Sequence, residues 1–245
     1  SVGLIDNIEN RFFLIDASPD ITKQYQMIKS FASRASLGGI ALTHAHIGHY
    51  SGLLFFGKES LGARKINVYS MPKMSFFLEN NGPWSQLIKE KNIIINELKN
   101  DSIQTLSKYI SIKPILVPHR DEFSETVGYL IKGDAKSALF LPDIDKWEKW
   151  DKKIEDLVRN VDYAFIDGTF YDDKEIPHRN MNEIPHPFVV ETLERLKNLK
   201  KKHKKKVYFI HLNHTNPLLK PNNIITKEII KRGYNIARTG MKFDL

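Results

Sequence analysis

No cysteine occurs anywhere in the 245 residues. A disulfide framework and every thiolate metal site are thereby excluded, and any metal must be held mainly by His, Asp or Glu. Long apolar runs are missing too. A charged or polar residue interrupts each one before it reaches the roughly 18 to 20 residues of a membrane-spanning helix, so the expectation is a soluble chain with no membrane span. Internal repeats, low-complexity linkers and shifts in composition are absent, and nothing marks a domain boundary. With 41% hydrophobic residues the chain is long enough to bury a substantial core, and one layered domain over residues 1–245 is expected. It begins at Ser1, already within a strand-like run. That start suggests a leader or first strand removed upstream.

Basic residues are in excess, with a net charge of +8. Part of the excess lies between Lys200 and Lys206, around His203. Lysines at a helix end complement the dipole there, and no aromatic residues interleave as base-stacking platforms would. A solvated helix end is therefore the expectation, and nucleic acid is not the favoured partner. Oligomeric state leaves no mark in the sequence.

Short apolar runs alternate with amphipathic stretches. Strands are expected at Phe12–Asp16, Gly39–Thr43, Ile66–Tyr69, Ile93–Leu98, Ile110–Val117, Thr126–Ile131, Ala138–Leu141, Tyr163–Ile166, Val207–Ile210 and Tyr234–Ala237. Helical patterns cover Ile21–Ser33, Pro72 to Leu78, Trp84–Lys91, Lys146–Arg159, Phe188–Lys200 and Asn223–Lys231. Such mixing implies sheets covered by helices, an α/β or α+β layered domain.

The strongest local signal is Thr43-His44-Ala45-His46-Ile47-Gly48-His49, directly after the small apolar run Gly38–Leu42. An extended chain puts His44 and His46 on one face, and a turn at Gly48 can bring His49 round to them. Three histidines at this spacing are a metal-ligand pattern.

This motif resembles that of the metallo-β-lactamase superfamily, His-x-His-x-Asp-His after a buried strand, with Gly48 standing where the family has Asp. The resemblance implies a four-layer αββα sandwich. It implies a first metal held by His44, His46, His119 and Asp143, and a second by His49, His211 and a bridging Asp143. His119, Asp143 and His211 each follow an expected strand, in the family's order. Gly48 removes one ligand of the second site, so one or two ions are expected, and Asp121 or His214 could compensate. Zinc is the first choice of metal, with iron or manganese as alternatives. Asp16 resembles the early Asp that orients the His loop. Asp167-Gly168-Thr169-Phe170 and His186 resemble the acidic motif and later His placed beside the metals in phosphodiesterase branches, where the His protonates a leaving group.

Longer stretches, Ala17-Ser18-Pro19-Asp20, Phe165–Thr169, Phe209–Asn213 with Thr215-Asn216-Pro217, and Gly240-Met241, look like coenzyme PQQ synthesis protein B and its relatives. That likeness implies a bacterial protein of the cytoplasm or periplasm. Two functions follow as expectations. One is a hydrolase that uses metal-bound hydroxide on an ester or phosphodiester-type bond, with Asp143, Asp167 and His186 as catalytic residues. The alternative is a PQQ-type biosynthetic protein, a metal-dependent oxygenase or carrier. A small-molecule or peptide-derived substrate is expected, with Phe55, Phe56, Trp84, Phe170 and Tyr171 as candidates for an apolar pocket wall.

Overall fold

Phe12, Phe13, Leu14 and Ile15 are consecutive buried side chains, at most 1% exposed. Such a run suits a strand covered on both faces. In the computed structural model, which describes residues 1–178 and 180–245, the run forms the second strand of the first of two units. The first unit comprises Ser1–Leu116 and Asp121–Val127; the second comprises Val117–Arg120 and Gly128–Leu245.

The first unit is built from β1 (Val2–Asp6), β2 (Arg11–Ile15), α1 (Ile21–Phe31), β3 (Ser36–Ala41), α2 (Ile47–Tyr50), β4 (Ile66–Ser70), α3 (Pro72–Asn80), α4 (Trp84–Lys89) and β5 (Ile93–Glu97). The strands lie in the order β1-β2-β3-β4-β5. Only β1 runs antiparallel to its neighbour; the remaining pairs are parallel. Phe12, Leu14, Ile40, Leu42, Val68, Met74 and Leu78 belong to its core. The small residues of β3 have a packing reason, because a Cβ on Gly39 would stand 2.8 Å from the Tyr69 ring and 2.9 Å from the Asn67 carbonyl. A hairpin of β6 (Gln104–Thr105) and β7 (Ser111–Leu116) completes the unit.

The second unit contains β8 (Val127–Lys132, all but its first residue), β9 (Ser137–Leu141), α5 (Ile154–Asn160), β10 (Tyr163–Asp167), α6 (Val189–Arg195), α7 (Lys201–Lys204), β11 (Val207–Ile210), α8 (Ile224–Lys231) and β12 (Asn235–Ile236). Its strands follow the order β12-β11-β10-β9-β8. The β8–β9 pair is antiparallel and the others are parallel. Parallel strands put their carboxyl ends on one side, where open α/β sheets bind ligands. Asp143, Asp167 and His211 all lie at or just past such ends.

Two expected helices are shorter than their patterns. Over Lys146–Arg159 only a 3-10 turn (Trp147–Lys149) and α5 form. Glu155 and Asp156 fill the first turn of α5 and complement the dipole there, so they mark a start rather than a helix middle. Phe188–Lys200 stops at Arg195 in α6. The chain then turns, burying Leu196 and Leu199 while Lys197 and Lys200 stay exposed. Among the described residues no helix is long and apolar enough to cross a membrane.

Candidate metal centre

In the first unit, β3 delivers Thr43 and His44 into buried positions, each 1% exposed, and α2 carries His49, 7% exposed. The expected turn at Gly48 is thus a short helix. The ring centroids of His44 and His46 are 4.4 Å apart, and those of His44 and His49 4.3 Å. Behind them sits the Asp16 carboxylate. Its Oδ1 accepts from the Thr43 amide at 2.8 Å and the Thr43 hydroxyl at 2.9 Å. Its Oδ2 lies 2.7 Å from His49 Nδ1, and Thr43 Oγ1 lies 2.9 Å from His44 Nδ1.

These contacts assign the tautomers. An ionised carboxylate only accepts, and the single Thr43 hydroxyl proton goes to it, so both Nδ1 atoms must be the donors. The lone pairs of His44 and His49 are then on Nε2. His46 is held by the opposite nitrogen, its Nε2 lying 3.2 Å from Glu122 Oε2.

Asp16 itself adopts φ +66°, a left-handed conformation that Asp tolerates better than most residues. The turn carrying it is clamped by Ala17 N donating to His49 O at 2.7 Å and Gly52 N donating to Ala17 O at 2.8 Å. A Cβ at position 52 would stand 2.2 Å from the Ser18 carbonyl, so only Gly lets the chain pass there.

In the second unit, Asp143 follows β9 and is 2% exposed. Its Oδ1 lies 3.8 Å from His119 Nε2 and 3.5 Å from His186 Nδ1, and its Oδ2 lies 3.4 Å from His211 Nε2. Ligand atoms of His119, Asp143 and His186 all fall within 4.8 Å of one another, a group that could hold a metal ion.

A second acid and threonine stand behind this group. Thr169 Oγ1 donates to Asp167 Oδ1 at 2.7 Å and lies 2.9 Å from His211 Nδ1, while Asp167 Oδ2 lies 2.7 Å from His186 Nδ1. By the same accounting, His186 and His211 donate from Nδ1. His211 sits at φ +60°, and a backbone held in this sparsely populated region is typical of ligand sites. Asn216, 2% exposed, donates from Nδ2 to the carbonyls of Gly168 (2.8 Å) and Thr169 (3.1 Å), fixing the loop that carries the acid. Burial alone would pull the pKa of His186 down. The charge and hydrogen bond of Asp167, with the charge of Asp143, outweigh it and raise the pKa above the ordinary value, against opposition from Arg120.

The expected ligands therefore fall into two groups. His44, His46 and His49 come together in the first unit, and His119, Asp143 and His211 in the second, with Asp167 and His186 beside them. Asp121 is engaged by the Thr126 hydroxyl at 3.0 Å, and burial pushes its pKa up. His214 is exposed. The expected aromatic wall is largely core: Phe56 and Trp84 pack in the first unit, and Phe170 in a cluster with Met181, Ile184 and Phe188. Thr43 and Thr169 carry roles that the motif reading missed. The available signal was a hydroxyl residue beside a His in one motif and two residues after an Asp in the other.

A model of the β-lactamase superfamily domain matches residues 11–212. The chain belongs to this family. It is 25% identical to coenzyme PQQ synthesis protein B of Methylobacillus flagellatus, over 95% of this chain and 83% of that protein. The solved structure of Zn(2+)-bound PqqB from Methylobacterium extorquens is similar with a TM-score of 0.81 at 18% identity, covering 98% of this chain and 86% of the other. A diphosphatase of the PhnP family gives a TM-score of 0.65 at 19% identity over 96% and 80%. The fold is that of the metallo-β-lactamases, as the His motif led one to expect.

Proposed function

We propose that the chain is a metal-dependent hydrolase of an ester or phosphodiester-type bond, acting as one domain over residues 1–245. Its metal ligands are His44, His46, His49, His119, Asp143 and His211. The observation that carries this reading is the orientation of the imidazoles. His44, His49 and His211 each commit Nδ1 to a carboxylate or a threonine hydroxyl, which is how metal-binding histidines are usually fixed in tautomer and direction. Nitrogen and carboxylate donors without any thiolate suit zinc first, and iron or manganese next. A bound ion would supply an acidified water near neutral pH and polarise the bond under attack.

The chain's own residues do the rest. Asp143 is buried between His119, His186 and His211, where a carboxylate balances positive charge. Asp167 holds His186 by Nδ1, which leaves Nε2 to carry a proton toward a leaving group. The likeness to a diphosphatase supports a phosphorus–oxygen bond as the target. Gly48 favours one tightly held ion over two. The substrate is a small molecule or a peptide-derived compound.

Similarity to PQQ synthesis protein B along nearly the whole chain favours a second reading, a biosynthetic oxygenase or carrier. One experiment separates the two: metal analysis of the purified protein beside His44→Ala, with esterase and phosphodiesterase assays run with and without oxygen. The hydrolase reading expects zinc and oxygen-independent hydrolysis, both lost in the variant. Iron with oxygen-dependent turnover would overturn it.

A further inference from the structure

The Lys200–Lys206 segment is not explained as a helix end. Its helix, α7, has only four residues and so a small dipole, far less than six lysines could complement. Two of the six are structural. Lys204 Nζ donates to the Lys197 carbonyl at 2.7 Å, and Lys206 Nζ to the Arg159 and Val161 carbonyls at 3.0 and 2.5 Å. Lys200, Lys201, Lys202 and Lys205 are exposed and have no ion pair among the described residues. The turn that ends α8 packs against these lysines, since a Cβ on Gly233 would be 3.8 Å from both Lys201 and Lys204. His203 registers the result. Its pKa is lowered, first by desolvation and then by Lys206, Lys202, Arg159 and Lys200. Like charges held together without counter-charge repel one another.

An apolar groove of about 350 Å³ adjoins this cluster, lined by Tyr208, Ile230, Ile236, Met241 and Phe243 with Lys242 at its edge. Asn235 joins the two features, since it also lines the groove and its Nδ2 donates to the Lys205 carbonyl at 2.8 Å. Ile230 and Met241 are 55% and 49% exposed. The lysines precede β11 and His211 follows it, so the length of that strand, roughly 13 Å at about 3.3 Å per residue, separates them from the ligand group. The surface is therefore no part of the candidate metal centre.

We propose that the lysine cluster and the apolar groove beside it form one docking surface for an acidic phospholipid membrane face. Lysines near an anionic bilayer gain from its surface potential, and apolar side chains at the rim gain by entering the boundary between headgroups and acyl chains. A nucleic acid would use the lysines but find no open ring to stack on, because Tyr208 and Phe243 are half-buried and packed edge-on against each other at 4.9 Å. Ile230 and Met241 are what tip the choice.

The test is co-sedimentation of the full chain with vesicles of phosphatidylcholine alone and of phosphatidylcholine mixed with phosphatidylglycerol, across a salt series. Binding is expected only to the mixed vesicles and is expected to weaken with salt. The Lys200→Glu, Lys201→Glu, Lys202→Glu, Lys205→Glu variant should lose at least about 600-fold in affinity, from about fivefold for each of the four lysines. Its melting curve should lie at or above the parent's, because these side chains hold no ion pair among the described residues and repel one another. Ile230→Ser with Met241→Ser should weaken binding while preserving its salt dependence. No binding to mixed vesicles at low salt, equal binding by the lysine variant, or tighter binding to duplex DNA or RNA than to vesicles would each overturn the proposal.

Discussion

Replacing Asp16 by Asn exchanges one heavy atom and tests how the first ligand group is held. Asn also tolerates the left-handed backbone at this position, so strain is not altered. Its Oδ1 can still accept from the Thr43 amide and hydroxyl. What changes is Oδ2, which becomes an NH2 facing His49 Nδ1 at 2.7 Å. Two donors cannot share that contact, so the imidazole moves its proton to Nε2 and gives up the lone pair a metal needs. Loss of such an outer partner costs about 10- to 100-fold in metal affinity, or about 1.4 to 2.8 kcal/mol. Fold stability without metal falls by only about 1 kcal/mol, the difference between a hydrogen bond to a charged group and a neutral one. Zinc affinity is measured by competition with a chromophoric chelator, and stability by urea unfolding. If Asp16→Asn bound zinc as tightly as the parent while losing stability, the carboxylate would be a purely structural clamp and the tautomer argument would be wrong.

Three further outcomes follow. A Cβ at position 48 would meet nothing within 4 Å, so Gly48→Asp has room for its side chain and should raise the metal content per chain; elemental analysis showing an unchanged ratio would contradict this. Glu122→Gln should weaken zinc binding about 10-fold, near the low end of the range because its contact with His46 is partly exposed. Asp6 accepts from the amides of Ile8 and Glu9, both at 2.9 Å, and from Ser107 Oγ at 2.6 Å. Burial is the largest influence on its pKa and pushes it up, but these bonds and Arg11 together hold it below the ordinary value. A depressed carboxylate stabilises the fold fully above its unfolded pKa of about 4, and the contribution is lost as pH falls through the folded value. Asp6→Asn should therefore flatten the acid side of the stability curve, read by urea unfolding at stepped pH, and an unchanged slope would contradict the assignment.

What could be read from the sequence was mostly local. The apolar run of β2 and the small residues of β3 announce buried strands, and the histidines after β3 announce a candidate metal site, because the pattern sits within a few neighbouring positions. Asp143, Asp167 and His211 were candidates through the family resemblance, helped by their positions at the ends of short apolar strands. Thr43 and Thr169 could not be placed. Their roles depend on partners 27 and 42 residues away, Asp16 and His211, and no local pattern carries that pairing. The helix over Lys146–Arg159 was misread because Trp147 and Trp150 fit a helical apolar period yet are buried without forming one. Phe56 and Phe170, expected to line a pocket, fill cores instead, as most aromatic side chains do.

The central claim is that a metal held by these ligands makes the chain a hydrolase. Zinc titrated into metal-free protein under anaerobic conditions, with hydrolysis of an activated phosphodiester followed at each addition, tests it most directly. Activity should rise in proportion to bound zinc, level off when the tight site is filled, and be absent from Asp143→Ala at every addition. A fully loaded protein inert toward every ester and phosphodiester offered, yet turning over with iron and oxygen, would contradict the account.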